Sequence, residues 1–117
     1  MKKKTNKDQQ ENYLESKPKR HEAIAWAKDE KGIVTLDIEN TGFVNRLAQK
    51  FFHKPKVTHI HLDEMGSFVW PIMDGEKDII AIGKEVEEQF GEKANPLYER
   101  LAKFFQVLDS YHFITWN

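Results

Sequence analysis

The spacing of the apolar residues has a period of two in most of the first half of the chain and a helical period in most of its second half. Two β-rich runs, residues 23–28 and 33–38, flank the turn at residues 29–32, which ends in glycine. Such a pair is typical of an antiparallel hairpin, and the even-numbered residues of its second strand share the face that we expect to be buried. A third alternating run, residues 56–62, follows Pro55 and predicts a third strand.

Three segments in the second half carry apolar residues at helical spacing. Asp63 is placed to cap the first helix, the second helix starts near Asp78, and the third opens with Asn95 as its cap and Pro96 as its first residue. A shorter amphipathic helix, residues 43–52, is inserted before the third strand, and residues 111–116 are long enough for a last strand. The order β-β-(α)-β-α-α-α-β predicts an α+β fold in which a small antiparallel sheet is followed by a three-helix bundle, as in a winged helix-turn-helix.

The length of 117 residues predicts one domain, and the composition excludes several classes of protein. No stretch approaches the roughly 18 consecutive apolar residues of a membrane span. Cysteine is absent, which excludes disulfides, thiolate-bound metals and a cysteine nucleophile, and which suits a reducing compartment. We therefore expect a cytoplasmic protein without a membrane partner.

Charge is distributed unevenly along the chain. Residues 1–20 hold seven of the 18 lysines and arginines and three of the 19 acidic residues, which leaves 11 basic and 16 acidic residues in 21–117. An acidic domain repels phosphates, so we expect no nucleic-acid partner. We expect residues 1–20 to form a disordered basic arm, in which Tyr13-Leu14 is the apolar pair that can anchor it to the domain of residues 21–117. Removal of the arm should then leave the melting temperature nearly unchanged.

Residues that carry chemistry are few. The six glycines are dispersed as turn and cap residues, and no nucleophile–base pair is apparent, so we expect neither an enzyme nor a cofactor. His59 and His61 share one face of the third strand, with His53 nearby and Asp63 next in the row. These side chains are compatible with a metal site. Asp63, however, turns away from the histidines if it caps the helix. We therefore expect that the two histidines lie on the less buried face of the sheet without a metal. Alternatively, the two imidazoles contact a ligand that docks beside the strand.

A family resemblance is carried by residues 61–75, HLDEMGSFVWPIMDG, in which Trp70 and Asp74-Gly75 are the most characteristic residues. It continues through the apolar positions of the next two helices and covers about residues 57–116. In these residues the chain resembles the coenzyme PQQ synthesis protein D (PqqD) family. The resemblance implies a RiPP recognition element, a non-catalytic peptide chaperone that binds the leader of a ribosomally made precursor peptide. It would present that peptide to a modifying enzyme, of the radical-SAM type or another.

The resemblance also implies a binding site, because in that family the leader adds as an extra strand to the third strand and packs against the third helix. The strand part of the implied site comprises Val57, Thr58, His59, Ile60, His61 and Leu62, and the helix part comprises Leu97, Tyr98, Leu101 and Phe105. An edge strand suits this use, since an extended peptide satisfies its unpaired N–H and C=O groups whatever the side chains. We expect Ile60→Pro to abolish binding and Lys84→Ala to leave it unchanged. A last strand at residues 113–116 would compete for the same edge.

Two alternatives share this pattern of elements. A winged-helix DNA-binding regulator has the same architecture, but we expect its second helix to expose Lys84, Glu85, Glu87 and Glu88, a net negative charge that is the wrong sign for DNA. The other alternative is a homodimer formed by pairing of open sheet edges. The inserted helix, residues 43–52, either covers the peptide groove or forms a surface for a partner.

Overall fold

The computed structural model of the chain describes residues 13–39 and 57–117. The described residues form an α+β fold with small antiparallel sheets and three α-helices, as predicted. The strands are β1 (Pro18–Arg20), β2 (Ala25–Lys28), β3 (Val34–Glu39), β4 (Val57–His61) and β5 (Ile114–Trp116). The helices are α1 (Glu64–Val69), α2 (Ile79–Phe90) and α3 (Leu97–Ser110), with 3-10 turns at Trp70–Ile72 and Gly91–Ala94. The predicted helix of residues 43–52 lies outside the described residues.

The chain divides into two compact units. The sheet unit comprises Glu22–Ser67, and the helical unit comprises Met1–His21 together with Phe68–Asn117. The helical unit is therefore built from both ends of the chain, and the sheet unit is the segment between them in sequence.

The sheet unit contains an antiparallel sheet with the strand order β2-β3-β4. The turn between β2 and β3 is fixed by Asp29, whose Oδ1 accepts hydrogen bonds from the N–H groups of Lys31 (2.8 Å) and Ile33 (2.9 Å). Gly32 takes a φ of +85°, a conformation that disfavours any side chain. The predicted hairpin is therefore confirmed.

One face of β3 is buried. Val34 and Leu36 are fully buried, on the face predicted from their alternation. Ser67 is the buried polar residue of the described chain, and its hydroxyl accepts a hydrogen bond from the N–H of Val34 (2.8 Å) and donates to the carbonyl of Leu62 (3.3 Å). The buried hydroxyl thus both accepts and donates a hydrogen bond, and it does so at the end of the β3–β4 ladder.

The helices begin close to the predicted residues. Asp63 caps α1 through a hydrogen bond from the N–H of Gly66 (2.7 Å), and Asp78 caps α2 through one from Ala81 (2.8 Å). Helix α3 differs from the prediction, because Pro96 rather than Asn95 occupies the cap position and no side chain caps it. The buried apolar side chains are Ile79, Ile82 and Val86 in α2 and Leu97, Leu101, Phe105 and Leu108 in α3. None of the described helices is long and apolar enough to cross a membrane.

The N-terminal segment departs from the predicted disordered arm of residues 1–20. Strand β1 pairs antiparallel with β5. On the other side of β1, the carbonyl of Pro18 accepts a hydrogen bond from the N–H of Gly75 (3.0 Å), and the N–H of Arg20 donates to the carbonyl of Met73 (3.2 Å). A polar composition predicts disorder, but backbone hydrogen bonds on both sides hold this strand whatever its side chains.

Side chains strengthen this attachment. Tyr13 is half-buried with its ring 5.8 Å from that of Trp116, so the apolar pair considered as an anchor does dock. The prediction of disorder is therefore wrong for residues 13–20. The Nη1 atom of Arg20 donates to three backbone carbonyls, those of Trp70 (3.3 Å), Pro71 (2.6 Å) and Met73 (3.1 Å).

Candidate functional site

Strand β4 lies at one edge of the three-stranded sheet. Its partner is β3, in a register that places His59 opposite Asp37 and Ile60 opposite Leu36. The terminal strand β5, predicted to compete for the other side of β4, pairs with β1 instead. Within the described parts of the chain, no strand therefore covers the outer side of β4.

The hydrogen-bond phase of β4 decides which of its backbone groups face outward. The N–H of Leu62, the residue after β4, donates to the carbonyl of Val34 across the ladder (2.9 Å). In an antiparallel pair, alternate residues turn both their N–H and their C=O toward the partner strand. The even-numbered residues of β4 therefore face β3, whereas Val57, His59 and His61 direct their N–H and C=O groups outward.

The side chains of the two histidines are held by β3. His59 Nδ1 lies 2.6 Å from Asp37 Oδ1, and His61 Nδ1 lies 2.7 Å from Thr35 Oγ1. Both histidines are exposed, as predicted for the less buried face of the sheet. Sequence reasoning missed Asp37 and Thr35 as partners, because the pairing depends on the register of β3 against β4, which no turn motif specifies.

The metal site that the sequence allows is not assembled by these side chains. Asp63, the third member of the row, accepts a hydrogen bond from Gly66 as the cap of α1, and His53 lies outside the described residues. In residues 13–39 and 57–117, no three histidine, aspartate or glutamate side chains are grouped so that they could hold a metal ion.

The opposite face of β4 is more apolar. Ile60 and Leu62 are half-buried, Thr58 is exposed, and Ile60 is in register with the buried Leu36. A strand added beside β4 would thus meet imidazoles on one face and aliphatic side chains on the other, because successive residues of a strand point to opposite faces. This arrangement suits an extended chain in which polar and apolar residues alternate.

The helix part of the predicted site belongs to the helical unit, whereas the strand part belongs to the sheet unit. Leu101 and Phe105 are fully buried and Leu97 is nearly so, which leaves Tyr98, 40% exposed, as the accessible residue of the four. The ring of Tyr98 packs over Gly83 of α2, so closely that a Cβ on Gly83 would lie 2.9 Å from Tyr98 Cε1. Sequence reasoning missed this contact, although a glycine inside a helix signals a close approach.

The tryptophan and the Asp-Gly pair of the characteristic segment have identifiable structural tasks. Trp70 is fully buried, and Asp74 Oδ1 accepts hydrogen bonds from the N–H groups of Glu76 (2.9 Å) and Lys77 (3.2 Å). These hydrogen bonds lower the pKa of the Asp74 carboxyl below its ordinary value of 3.8. Gly75 takes a φ of +82°, which favours glycine. Together the pair forms the turn that leads into α2.

A model of the family described as coenzyme PQQ synthesis protein D (PqqD) matches residues 32–114 of the chain. The chain belongs to the PqqD family. The PqqD match contains β3, β4 and the described helices α1, α2 and α3, and thus every residue of the predicted site. A search of curated proteins and a search of solved structures gave no significant match.

PqqD membership supports, in general terms, a peptide-binding role in coenzyme PQQ synthesis. Proteins of the PqqD family are known as non-catalytic accessory proteins, and the family implies peptide and enzyme partners. The outer edge of β4 pairs with no described strand and therefore has backbone N–H and C=O groups of the kind that an extended peptide can pair with.

Proposed function

We propose that this PqqD-family protein is a non-catalytic chaperone for a ribosomally made precursor peptide. The leader of the precursor binds as an added strand beside β4, and the protein presents it to a modifying enzyme of the radical-SAM type or another class. The protein acts in the cytoplasm, where such precursors are made. The single observation that supports this most directly is that the backbone N–H and C=O groups of Val57, His59 and His61 face outward, on an edge that no described strand covers.

Backbone pairing supplies affinity that does not depend on the peptide sequence. Each hydrogen bond of the added ladder contributes about 0.5–1.5 kcal/mol net. Ordering an extended peptide costs a similar amount, about 1–2 kcal/mol per residue. The ladder alone therefore gives weak binding, and contacts to the peptide side chains must supply the remainder.

The helix residues enter this proposal through the family resemblance. Tyr98 is accessible, so Tyr98→Ala should weaken peptide binding while the chain stays folded. Leu97, Leu101 and Phe105 are buried, and we expect their substitution to lower the free energy of unfolding before it changes any affinity.

The register of β4 provides a sharper test than Ile60→Pro. The N–H of Ile60 faces β3, so a proline there breaks the sheet itself. Proline is tolerated on an edge strand where the N–H faces outward. His59→Pro should therefore keep the fold while it removes one donor and blocks the incoming strand. His59→Ala is the matched control, because it removes the same imidazole and keeps the N–H.

The assay uses the full chain and a phage-displayed library of extended peptides of roughly twelve residues, long enough to span β4 at about 3.3 Å per residue. The tightest peptide, referred to as the selected peptide, is then titrated by calorimetry. His59→Pro should weaken it by at least about tenfold, which corresponds to about 1.4 kcal/mol, and Lys84→Ala should leave the affinity unchanged. If circular dichroism shows His59→Pro folded and it binds as tightly as the unmodified chain, strand addition on β4 is wrong.

A DNA-binding role on a winged helix-turn-helix is not favoured by the described residues. Helix α2 exposes Lys84, Glu87 and Glu88, and its Glu85 is paired with Lys77 (2.9 Å). Such a surface repels phosphates. A homodimer paired through β4 is distinguished by size-exclusion chromatography, because its elution would shift with protein concentration and the selected peptide would dissociate it.

A further inference from the structure

The tautomer of His59 is set by Asp37. His59 Nδ1 lies 2.6 Å from Asp37 Oδ1, and an ionised carboxylate only accepts hydrogen bonds. Nδ1 therefore carries the hydrogen, as in other histidines whose second nitrogen is bonded to a carboxylate. In the neutral ring this leaves Nε2 unprotonated, with a lone pair that accepts a hydrogen bond.

His61 differs in this respect. Its Nδ1 lies 2.7 Å from Thr35 Oγ1, and a hydroxyl both donates and accepts, so this contact does not fix the tautomer. The two histidines thus provide an internal comparison on one face of β4. His59 offers a fixed acceptor, whereas His61 adapts to its neighbour.

A strand added to β4 would bring one side chain directly beside His59. The backbone of His59 faces outward, so the peptide residue opposite it forms a hydrogen-bonded pair with it. The Cβ atoms of such a pair lie about 4.5–5.5 Å apart on the same face of the sheet. The His59 side chain is 64% exposed, which leaves room for the neighbouring side chain to reach Nε2.

The charged residues on the His59 face of the sheet favour some classes of peptide side chain over others. Strand β3 places Asp37 and Glu39 on the face, β2 contributes Ala25 and Ala27, and none of the described strand positions on it is a lysine or arginine. A cationic donor is therefore favoured over a neutral one. A carboxylate is disfavoured for two reasons, since its charge is repelled and it has no hydrogen to donate.

We infer that His59 determines the specificity of the proposed peptide site. In the neutral ring, Nε2 accepts a hydrogen bond from the peptide side chain opposite it, so that side chain carries an O–H or N–H donor, with lysine preferred and aspartate or glutamate rejected. This inference rests on the proposed strand addition at β4. It adds a choice of side chain to a backbone ladder that by itself accepts any sequence.

The tautomer is measured first, on the free full-length chain, by ¹⁵N spectra of the imidazoles at about pH 8, where an ordinary histidine is neutral. His59 should be in the Nδ1–H form. Asp37→Ala should abolish that preference, and Thr35→Ala, the matched control, should leave the His59 spectrum unchanged. A His59 ring that carries its hydrogen on Nε2 in the unmodified chain overturns the inference.

Peptide selectivity is measured next, with the selected peptide. Each position is replaced in turn by serine and by O-methylserine, which is also neutral but cannot donate. One position should prefer serine by about fivefold, the factor that corresponds to a hydrogen bond of about 1 kcal/mol. Asp37→Ala should reduce this preference to less than about twofold, and Thr35→Ala should preserve it. Lysine should bind more tightly than glutamate at the same position.

The inference and the proposed function fail in different ways. If His59→Pro leaves the affinity unchanged, strand addition on β4 is wrong and the inference is lost with it. If His59→Pro abolishes binding but no position prefers serine, or the preference survives Asp37→Ala, strand addition stands and the role of His59 is overturned.

Discussion

The contact between Gly83 and Tyr98 offers a direct test of how α2 and α3 are packed. A Cβ at Gly83 would lie 2.9 Å from Cε1, 3.0 Å from Oη and 3.1 Å from Cζ of the tyrosine ring. Carbon atoms in ordinary contact are about 3.5–4.0 Å apart, so the ring has to move to admit a methyl group.

Two effects of Gly83→Ala oppose each other. Alanine inside α2 stabilises the helix by about 0.5–1 kcal/mol relative to glycine. Overpacking costs about 1–3 kcal/mol, and the lower part of that range, about 1–2 kcal/mol, applies because a ring at the surface has room to shift. Tyr98 is such a ring, with 40% of its surface exposed. We therefore expect Gly83→Ala to lower the free energy of unfolding by up to about 1.5 kcal/mol, with a central value of about 0.75 kcal/mol.

A double-mutant cycle separates these effects. In a Tyr98→Ala background the ring is absent, so Gly83→Ala should raise the free energy of unfolding by about 0.5–1 kcal/mol. Urea unfolding followed by tryptophan fluorescence gives the four values, with an expected coupling of about 1–2 kcal/mol between the two positions. If Gly83→Ala stabilises both backgrounds equally, the ring of Tyr98 does not lie over α2.

Three further predictions concern strand β1, the cap of α2 and the Tyr13 phenol. Deleting residues 1–20 removes β1 and should lower the melting temperature in calorimetry by about 5 °C or more relative to a chain that lacks only residues 1–12. Equal melting temperatures of the two truncated chains would show that β1 is not docked. Asp78→Ala removes the cap of α2 and should cost about 1 kcal/mol in urea unfolding, with Asp78→Asn close to neutral because it keeps an acceptor oxygen. Burial, and then the carboxylate of Asp109, raises the pKa of Tyr13 above 10.0. The stabilisation from the protonated phenol is therefore complete below pH 10 and is lost as the pH rises through the raised pKa. In a titration followed by phenolate absorbance, the step that disappears in Tyr13→Phe should lie above pH 10. A step at or below pH 10 would contradict the burial of Tyr13.

The parts of the fold that follow from local chemistry are predictable from the sequence. The hairpin depends on a short turn, and the starts of α1 and α2 depend on Asp63 and Asp78, whose hydrogen-bond acceptors serve N–H groups three residues away. Strand β1 is not predictable in this way, because backbone groups hold it to Met73 and Gly75, far along the chain. Backbone hydrogen bonds leave no pattern in the side chains of a three-residue strand.

The sequence predicts which strand forms the candidate site but not which of its backbone groups are available. The alternation of residues 56–62 and the family resemblance identify the strand, but neither shows which of its backbone groups face outward. That phase depends on the register of β3 against β4, which pairs Asp37 with His59. Residues 40–56 separate the two strands in sequence, so no short turn specifies the register, and the partnership that fixes the histidine tautomer emerges only from the three-dimensional structure.

Strands β1 and β5 lie side by side in the helical unit, where Pro18 is opposite Trp116. Neighbouring strands are about 4.8 Å apart, so in a circular permutant a short linker would connect the end of β5 to the start of β1, and new ends could be opened in the exposed turn at residues 29–32 without loss of any strand pairing. A protein fused directly before β1 would accordingly leave the helical unit at the same place as one fused directly after β5.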